Sequence, residues 1–538
     1  MIYLKKQNFI KGSIILMLSA AAAKLLGAIF KIPLTNILGG VGMSYFSCAY
    51  SIFMPVYALT VTGLTSAVAR MTAKAAASGE PSQVQTIRRT ALAVFSAAGL
   101  AGSLLVYALA EPFSLLSVGS SDAKAAIAMI APTVFFGCIT AVERGYYEGM
   151  SNMYPTAVSQ IIEGAVKVYA GLRLCGYVTE HPEVIQRIFP YLEDIRAGAA
   201  AAGILGVTLS SAGAWLFFAA ETVLSGRLPV RASSVGIKRE TAKELIRTAL
   251  PTGVSAVVTN LTALIDMWTV IGCIRTDMDI SGISAEDVPH FIYGSFSGIA
   301  LTVFNLVPSV TNMLGKGALT CVTSAYESGD RTALKNSTVQ ALVMSAAIAL
   351  PAAVGLGILS REVLDILYPM QSDEVMICTE PLRLLMPGMV CLCISYPLFS
   401  MLQAVGKHSL PLIIMLAGTA VKLAGNLLLI PAMGAEGAAV STSVCYAVIL
   451  TASLAAYIGT CGVALSVAPF VKVAYSGAMC GAAAYVTSEL TRRSGASDIV
   501  VVLAAAAAGG AVYISMLYAL MGVHGKKKKP AQGQADLL

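Results

Sequence analysis

Long apolar runs separated by short polar breaks organise the chain. Fourteen runs approach or exceed the roughly 20 residues a helix needs to cross a bilayer. They cover 12–34, 45–69, 90–111, 125–142, 155–175, 198–222, 248–271, 291–314, 338–358, 382–403, 410–430, 437–458, 466–487 and 498–522. Only helices and closed barrels can span, because lipid offers no partner for backbone N–H and C=O groups. Barrel strands are about half this length and alternate, so the pattern predicts helices. The junctions carry turn or charge chemistry, as at Gly39-Gly40, Ser78-Gly79-Glu80-Pro81, Ser328-Gly329-Asp330 and Gly434. The expected fold class is all-α: a polytopic membrane protein with about fourteen transmembrane helices.

Composition agrees. Of 538 residues, 57% are hydrophobic and 12% charged, whereas soluble domains carry about 25% charge. The eleven cysteines form no pair of CxxC units, and Cys391-Leu392-Cys393 is too tight for one. Cys48, Cys138, Cys273, Cys321, Cys391, Cys393, Cys445 and Cys480 lie in or beside apolar runs. They are expected to be small buried hydrophobes, with no metal site. Met1–Ala23 has the lysines, apolar run and small residues of a signal peptide, but apolar sequence continues to Leu34. An uncleaved first helix is therefore expected.

Loop charge sets the expected orientation. With the N-terminus inside, the even-numbered connections and both tails carry Lys5, Lys6, Lys11, Lys74, Arg88, Arg89, Arg144, Arg227, Arg231, Lys238, Arg239, Lys243, Arg247, Lys316, Arg331, Lys335, Lys407, Lys472 and Lys526 to Lys529. The odd-numbered connections are acidic, with Glu180, Glu183, Glu193, Asp194, Asp277, Asp279, Glu286, Asp287, Glu362, Asp365, Asp373 and Glu374. Lys and Arg govern topology, so both termini are expected in the cytoplasm. The net charge of +7 then belongs to the cytoplasmic face and calls for no nucleic-acid partner. The Lys526–Lys529 run suits anionic lipid head groups.

The chain also resembles itself at a spacing of about 250 residues. Ser78-Gly79-Glu80, Ala91-Leu92 and Ser96-Ala97-Ala98 are echoed by Ser328-Gly329-Asp330, Ala341-Leu342 and Ser345-Ala346-Ala347; Ala165-Val166-Lys167 is echoed by Ala420-Val421-Lys422. Two six-helix bundles of equal orientation follow, related by an axis along the membrane normal. The expected organisation is an N-terminal bundle at 1–225, a basic cytoplasmic linker at 226–247, a C-terminal bundle at 248–458, helices 13 and 14 at 459–522, and a basic cytoplasmic tail at 523–538.

Six ionisable residues interrupt the spans: Lys24, Lys31, Glu163, Lys167, Asp266 and Lys422. A charge at bilayer depth costs at least about 2.5–3.5 kcal/mol and usually faces a cavity. The excess is cationic, which points to transport of an anion. Lys24 lies about 16 Å from either end of its span, too far to snorkel. Lys31 is seven residues on, two turns along the same face, near the outer end of the span and within snorkelling reach of the interface. Glu163 and Lys167 have the i,i+4 spacing of a helix ion pair, and Lys422 and Asn426 share that spacing. Asp266 requires a proton, a sodium ion or a lysine as partner. Arg70 ends span 2, as an interfacial anchor or a contact at the entry. Pro251, Pro308, Pro351 and Pro387 permit bending. Walker A, HExxH and GxSxG motifs are absent from supporting contexts, so no catalytic residue and no enzyme is expected.

One stretch carries a family resemblance: Arg144-Gly145-Tyr146-Tyr147-Glu148-Gly149-Met150-Ser151-Asn152-Met153-Tyr154-Pro155-Thr156-Ala157-Val158-Ser159-Gln160. It resembles the loop between spans 4 and 5 of polysaccharide transporters of the MATE/MOP superfamily, nearest the stage V sporulation protein B and MurJ-type lipid II flippase group. Phe9-Ile10-Lys11-Gly12, Lys24-Leu25-Leu26-Gly27, Ile32-Pro33-Leu34, Leu38-Gly39, Ala325-Tyr326 and Leu402-Gln403 through Gly406-Lys407 extend the resemblance over nearly the whole chain. It implies two six-helix bundles around a central cavity, with spans 13 and 14 forming a groove for a lipid tail. It implies flipping of an undecaprenyl-diphosphate-linked saccharide, foremost lipid II, to the outer leaflet of a bacterial plasma membrane, by a monomer and without a cofactor. Lys24, Lys31, Arg70, Glu163, Lys167 and Lys422 are then candidate cavity and diphosphate residues. Asp266 and Asn426 correspond to part of a coupling site for Na+ or H+, with Lys422 a turn away. The alternatives are a cation-coupled multidrug exporter, a flippase for O-antigen, capsule or teichoic-type lipids, and a non-transporting scaffold.

Overall fold

The computed structural model describes residues 9–188, 192, 194–224, 238–274, 283–407, 409–463 and 465–522. The Lys526–Lys529 run, most of the basic linker, Arg227, Arg231, Glu193, Asp277 and Asp279 lie outside the described residues.

Among the described residues the secondary structure is helical, joined by short turns and loops. In order these are α1 (Phe9–Tyr57), α2 (Gly63–Ala77), α3 (Pro81–Ala108), α4 (Ala110–Val118), α5 (Ala123–Ile130), α6 (Pro132–Gly149), α7 (Tyr154–Glu180), α8 (Pro182–Ile188), α9 (Ile195–Leu224) and α10 (Arg239–Cys273). There follow α11 (Val288–Ser295), α12 (Leu301–Phe304), α13 (Leu306–Glu327), α14 (Arg331–Ile358), α15 (Ser360–Leu367), α16 (Ser372–Ala404), α17 (Leu410–Met433), α18 (Ala435–Cys461), α19 (Ala468–Arg493) and α20 (Asp498–Gly522). π-helical turns at Ala58–Thr62 and Phe296–Ala300 join α1 to α2 and α11 to α12.

Each of the fourteen expected spans overlaps helix, though 45–69, 90–111, 125–142 and 291–314 cross a break or a π turn between helices. Among the described residues ten helical segments are long and apolar enough to cross, eleven if the bent pair Val288–Phe304 and Leu306–Asn312 is one span. The longest, Leu18–Ala77, covers two expected spans. They separate at Gly39, whose φ of 64° is open to glycine and costly for other residues. Span 5 is helical across its expected length in α7, which carries Glu163, Lys167 and Arg173.

The helices pack as two compact units. The first holds residues up to Leu306 together with Leu367–Leu382 and Leu412–Cys445. One of its cores joins α2, α3, α6, α9 and α10 through Leu64, Val68, Phe95, Val142, Phe218 and Leu245. The second holds Val307–Ile366, Arg383–Pro411 and the chain from Tyr446. There Leu359, Ala484, Val501 and Ala505 pack together, and the Tyr513 hydroxyl donates to the Ala347 carbonyl at 2.8 Å. Large apolar side chains such as Leu104, Leu428 and Ile514 face outward, as helices solvated by lipid require.

Backbone geometry supports the repeat. α3 and α14 each have 28 residues, each preceded by a glycine at φ 70°, Gly79 and Gly329, and each followed by a short helix. Ser151 (φ 57°) and Gly406 (φ 80°) hold equivalent left-handed positions ahead of α7 and α17, which bear Lys167 and Lys422.

Candidate functional site

A cavity of about 440 Å³ opens within the first unit. Its polar lining is Lys31, Lys167, Asp266, Asn260, Asn305 and Tyr50, joined by small hydroxyls from α1 and the Phe296–Ala300 turn. α1 lines it with Gly27, Phe30 and Lys31 and again from Phe46 to Met54, and two very close helix crossings lie at Gly40, between those stretches, and at Gly63, after them. A Cβ at Gly294 would collide with the Gly40 carbonyl, and a Cβ at Gly63 would collide with the Ala249 carbonyl. Glycine is required at such approaches. Further bonds hold the Gly40 side. The Gly40 N–H donates to buried Glu374 Oε1 at 3.1 Å, and Gln371 Nε2 donates to the Asn36 carbonyl at 2.9 Å.

The seven candidate charges separate into four groups. Lys31 and Lys167 line the cavity, and Lys31 Nζ donates to the Ser297 carbonyl at 2.9 Å. Asp266 lines it too, but Lys422 Nζ approaches its Oδ2 to 2.6 Å from behind the lining, and Asn426 Nδ2 donates to its Oδ1 at 3.1 Å. Asn426 also donates to Thr269 Oγ1 at 2.7 Å and accepts from Ser441. Asp266, Lys422 and Asn426 are all buried, so of the three partners expected for Asp266 the structure supplies the lysine. Lys24 is exposed, one turn before the lining residue Gly27, and Arg70 is exposed on α2; neither is among the lining residues.

Glu163 departs from the i,i+4 expectation. Its ion-pair partner is Arg144, at 2.8 Å, and Lys167 lines the cavity instead. The guanidinium can hold two acceptors at once: Arg144 Nε donates to Ser159 Oγ at 2.9 Å while Nη2 serves Glu163. A lysine four residues along presents only a point charge.

The family-motif loop is thereby explained as a clamp between helices. Gly145 and Gly149 let α6 lie against the backbone of α2, where a Cβ would sit 2.6 Å from the carbonyl oxygens of Thr65 and Ala69. Asn152 Oδ1 accepts from the Tyr154 N–H at 3.3 Å, and Pro155 sits in the first turn of α7. Gln160 Oε1 accepts from Ser19 at 3.0 Å, tying α7 to α1. The Glu148 carbonyl accepts from the Ser151 N–H at 2.9 Å and closes the turn.

One group escaped the sequence analysis. Arg88, expected as a loop cation, is buried in α3. It holds Glu143 of α6 through Nε and Nη2 at 2.9–3.1 Å, donates to Thr222 at 3.2 Å, and lies 4.7 Å from the Tyr146 ring centroid. The only available signal was Glu143 itself, an acid at the end of an apolar run.

Comparison with known proteins fits this architecture. The polysaccharide biosynthesis protein family model matches residues 9–326, and the MatE model matches residues 295–428. Stage V sporulation protein B of Bacillus subtilis (strain 168) is 23% identical over 439 residues, 81% of each chain. Lipid II flippase MurJ of the same organism is 22% identical over 453 residues, 82% of this chain and 80% of that one. A solved lipid II flippase MurJ, in an inward closed conformation, superposes with TM-score 0.68 at 15% identity, covering 95% of this chain and 99% of its own. With more than half its length matched by one family model and this fold, the chain belongs to the polysaccharide biosynthesis protein family of membrane transporters.

Proposed function

We propose that this protein flips an undecaprenyl-diphosphate-linked saccharide, foremost lipid II, from the cytoplasmic to the outer leaflet by alternating access. The single observation carrying this is the charge of the cavity. Its lining has two lysines and one aspartate, and the aspartate is neutralised by Lys422. Two cations therefore stand against the anionic part of a substrate, in a site whose amides and hydroxyls suit a sugar. Its volume is that of a small-molecule pocket, too small for a whole saccharide-peptide head group. The site must widen during the cycle, and the close glycine crossings of α1 at Gly40 and Gly63 are places where helices can part. Lys24 and Arg70 serve the approach from the cytoplasm, where Lys and Arg loop bias puts both termini. Lys422 pairs with Asp266, one of the two residues the family resemblance implies for a Na+ or H+ site, which supports the reading that transport by this chain runs without sodium.

Binding tests the cavity directly. Each ammonium–phosphate contact is worth about 1.5–3 kcal/mol. Lys31→Met and Lys167→Met should each weaken binding of a fluorescent undecaprenyl-diphosphate saccharide about 10- to 150-fold. Arg replacements should retain most of it. Unchanged affinity in both Met variants would remove the diphosphate from this cavity.

A further inference from the structure

Side chains from outside the helix hold the carbonyl groups of the π-helical turn at Phe296–Ala300. Lys31 Nζ donates to the Ser297 carbonyl at 2.9 Å. Tyr368 donates to the Gly298 carbonyl at 3.3 Å, and Thr35 Oγ1 approaches the same oxygen to 3.5 Å. Ser47 and Ser297 share a hydroxyl–hydroxyl bond at 2.8 Å. Widened turns of this kind are rare and tend to mark functional sites. This one has two properties together. Lys31, Ser47 and Ser297 line the cavity. The turn also begins two residues after Gly294, which packs against Gly40 of α1, between the lining residues Lys31 and Phe46.

We propose that this turn is a ligand-sensing hinge, with Lys31 as its trigger. An ammonium bonded to a neutral carbonyl can be drawn off by a doubly charged group, because charge-assisted bonds with both partners ionised are the stronger ones. An anion entering the cavity then takes Lys31 from the Ser297 carbonyl. The carbonyl loses its charged donor, the turn relaxes, and the Gly40–Gly294 crossing loosens. Thr35 and Tyr368 are positioning residues that hold the turn in its resting form. The anion arm rests on the diphosphate reading above; the resting bond does not.

Amide hydrogen exchange of the full chain in nanodiscs, followed over 294–302, tests this. In Lys31→Met these amides should exchange about 10- to 150-fold faster than in wild type with no ligand present. Lys31→Arg should remain near wild type. Inorganic pyrophosphate should speed exchange over 294–302 in wild type and leave Lys31→Met unchanged. The pair Thr35→Val and Tyr368→Phe should raise resting exchange while leaving pyrophosphate affinity intact. Wild-type exchange in Lys31→Met, or a rise spread evenly over α1 and α11, overturns the hinge. So does pyrophosphate that binds without changing exchange over 294–302. If pyrophosphate does not bind wild type at all, the diphosphate reading falls, and the ligand-free comparison still decides the hinge.

Discussion

Lys422→Ala is expected to cost about 3–5 kcal/mol of stability, because it strands a carboxylate in a buried site. The side chains of Lys422 and Asp266 are 4% and 3% exposed. Among the described residues, Asn426 is the outside donor left to the Asp266 carboxylate once the ammonium has gone. Removing both charges should be far milder, since buried pairs replaced by neutral groups of similar shape are often close to neutral. Asp266→Asn/Lys422→Met should therefore regain most of the loss. Thermal unfolding of the purified protein in detergent checks both variants. A Lys422→Ala midpoint equal to wild type would show that the pair is not structural. Sodium should leave the wild-type midpoint unchanged, because a cation that binds the native state raises it and Asp266 is already paired with Lys422.

A loss of similar size is expected for Arg88→Ala. Its side chain and that of Glu143 are 9% and 7% exposed, and the guanidinium also serves Thr222 and the Tyr146 ring. Breaking such a pair costs about 3–5 kcal/mol, and the ring contact adds about 1 kcal/mol. Arg88→Lys keeps the charge but loses the fork, so it should fall between. None of these atoms lines the cavity, so substrate affinity per folded molecule should be unchanged. A melting profile indistinguishable from wild type would contradict the buried network. Weakened binding by a fully folded Arg88→Ala protein would contradict its separation from the cavity.

The helices were legible because spanning segments announce themselves by length and apolarity. Within the proposed repeat, Gly79 and Gly329 share a backbone angle as well as a sequence context. Lys31, Lys167 and Asp266 line the cavity and lie within apolar runs, but so does Lys24, which is not among the lining residues. Partners were harder. Spacing within one helix suggests Lys167 for Glu163, but Arg144 reaches it from another helix. Arg88 shows the same limit, because a basic residue near a predicted span end has the same local sequence whether it faces head groups or a buried acid. In lipid the usual burial rule also loses force, since apolar side chains such as Leu104 and Leu428 face outward. Which face of a span meets the cavity follows from tertiary packing, as with the close crossings at Gly63 and Gly294. The π turns leave no composition signal.

The most direct measurement is transport in inside-out membrane vesicles containing this protein, given lipid II or other polyprenyl-linked saccharides at the exposed cytoplasmic leaflet. The account predicts movement of polyprenyl-diphosphate-linked saccharide to the opposite leaflet, fastest for lipid II, sodium-independent, and strongly reduced in the Lys31→Met/Lys167→Met protein. Vesicles that move no such lipid above the protein-free rate, while accumulating an organic cation, would contradict it.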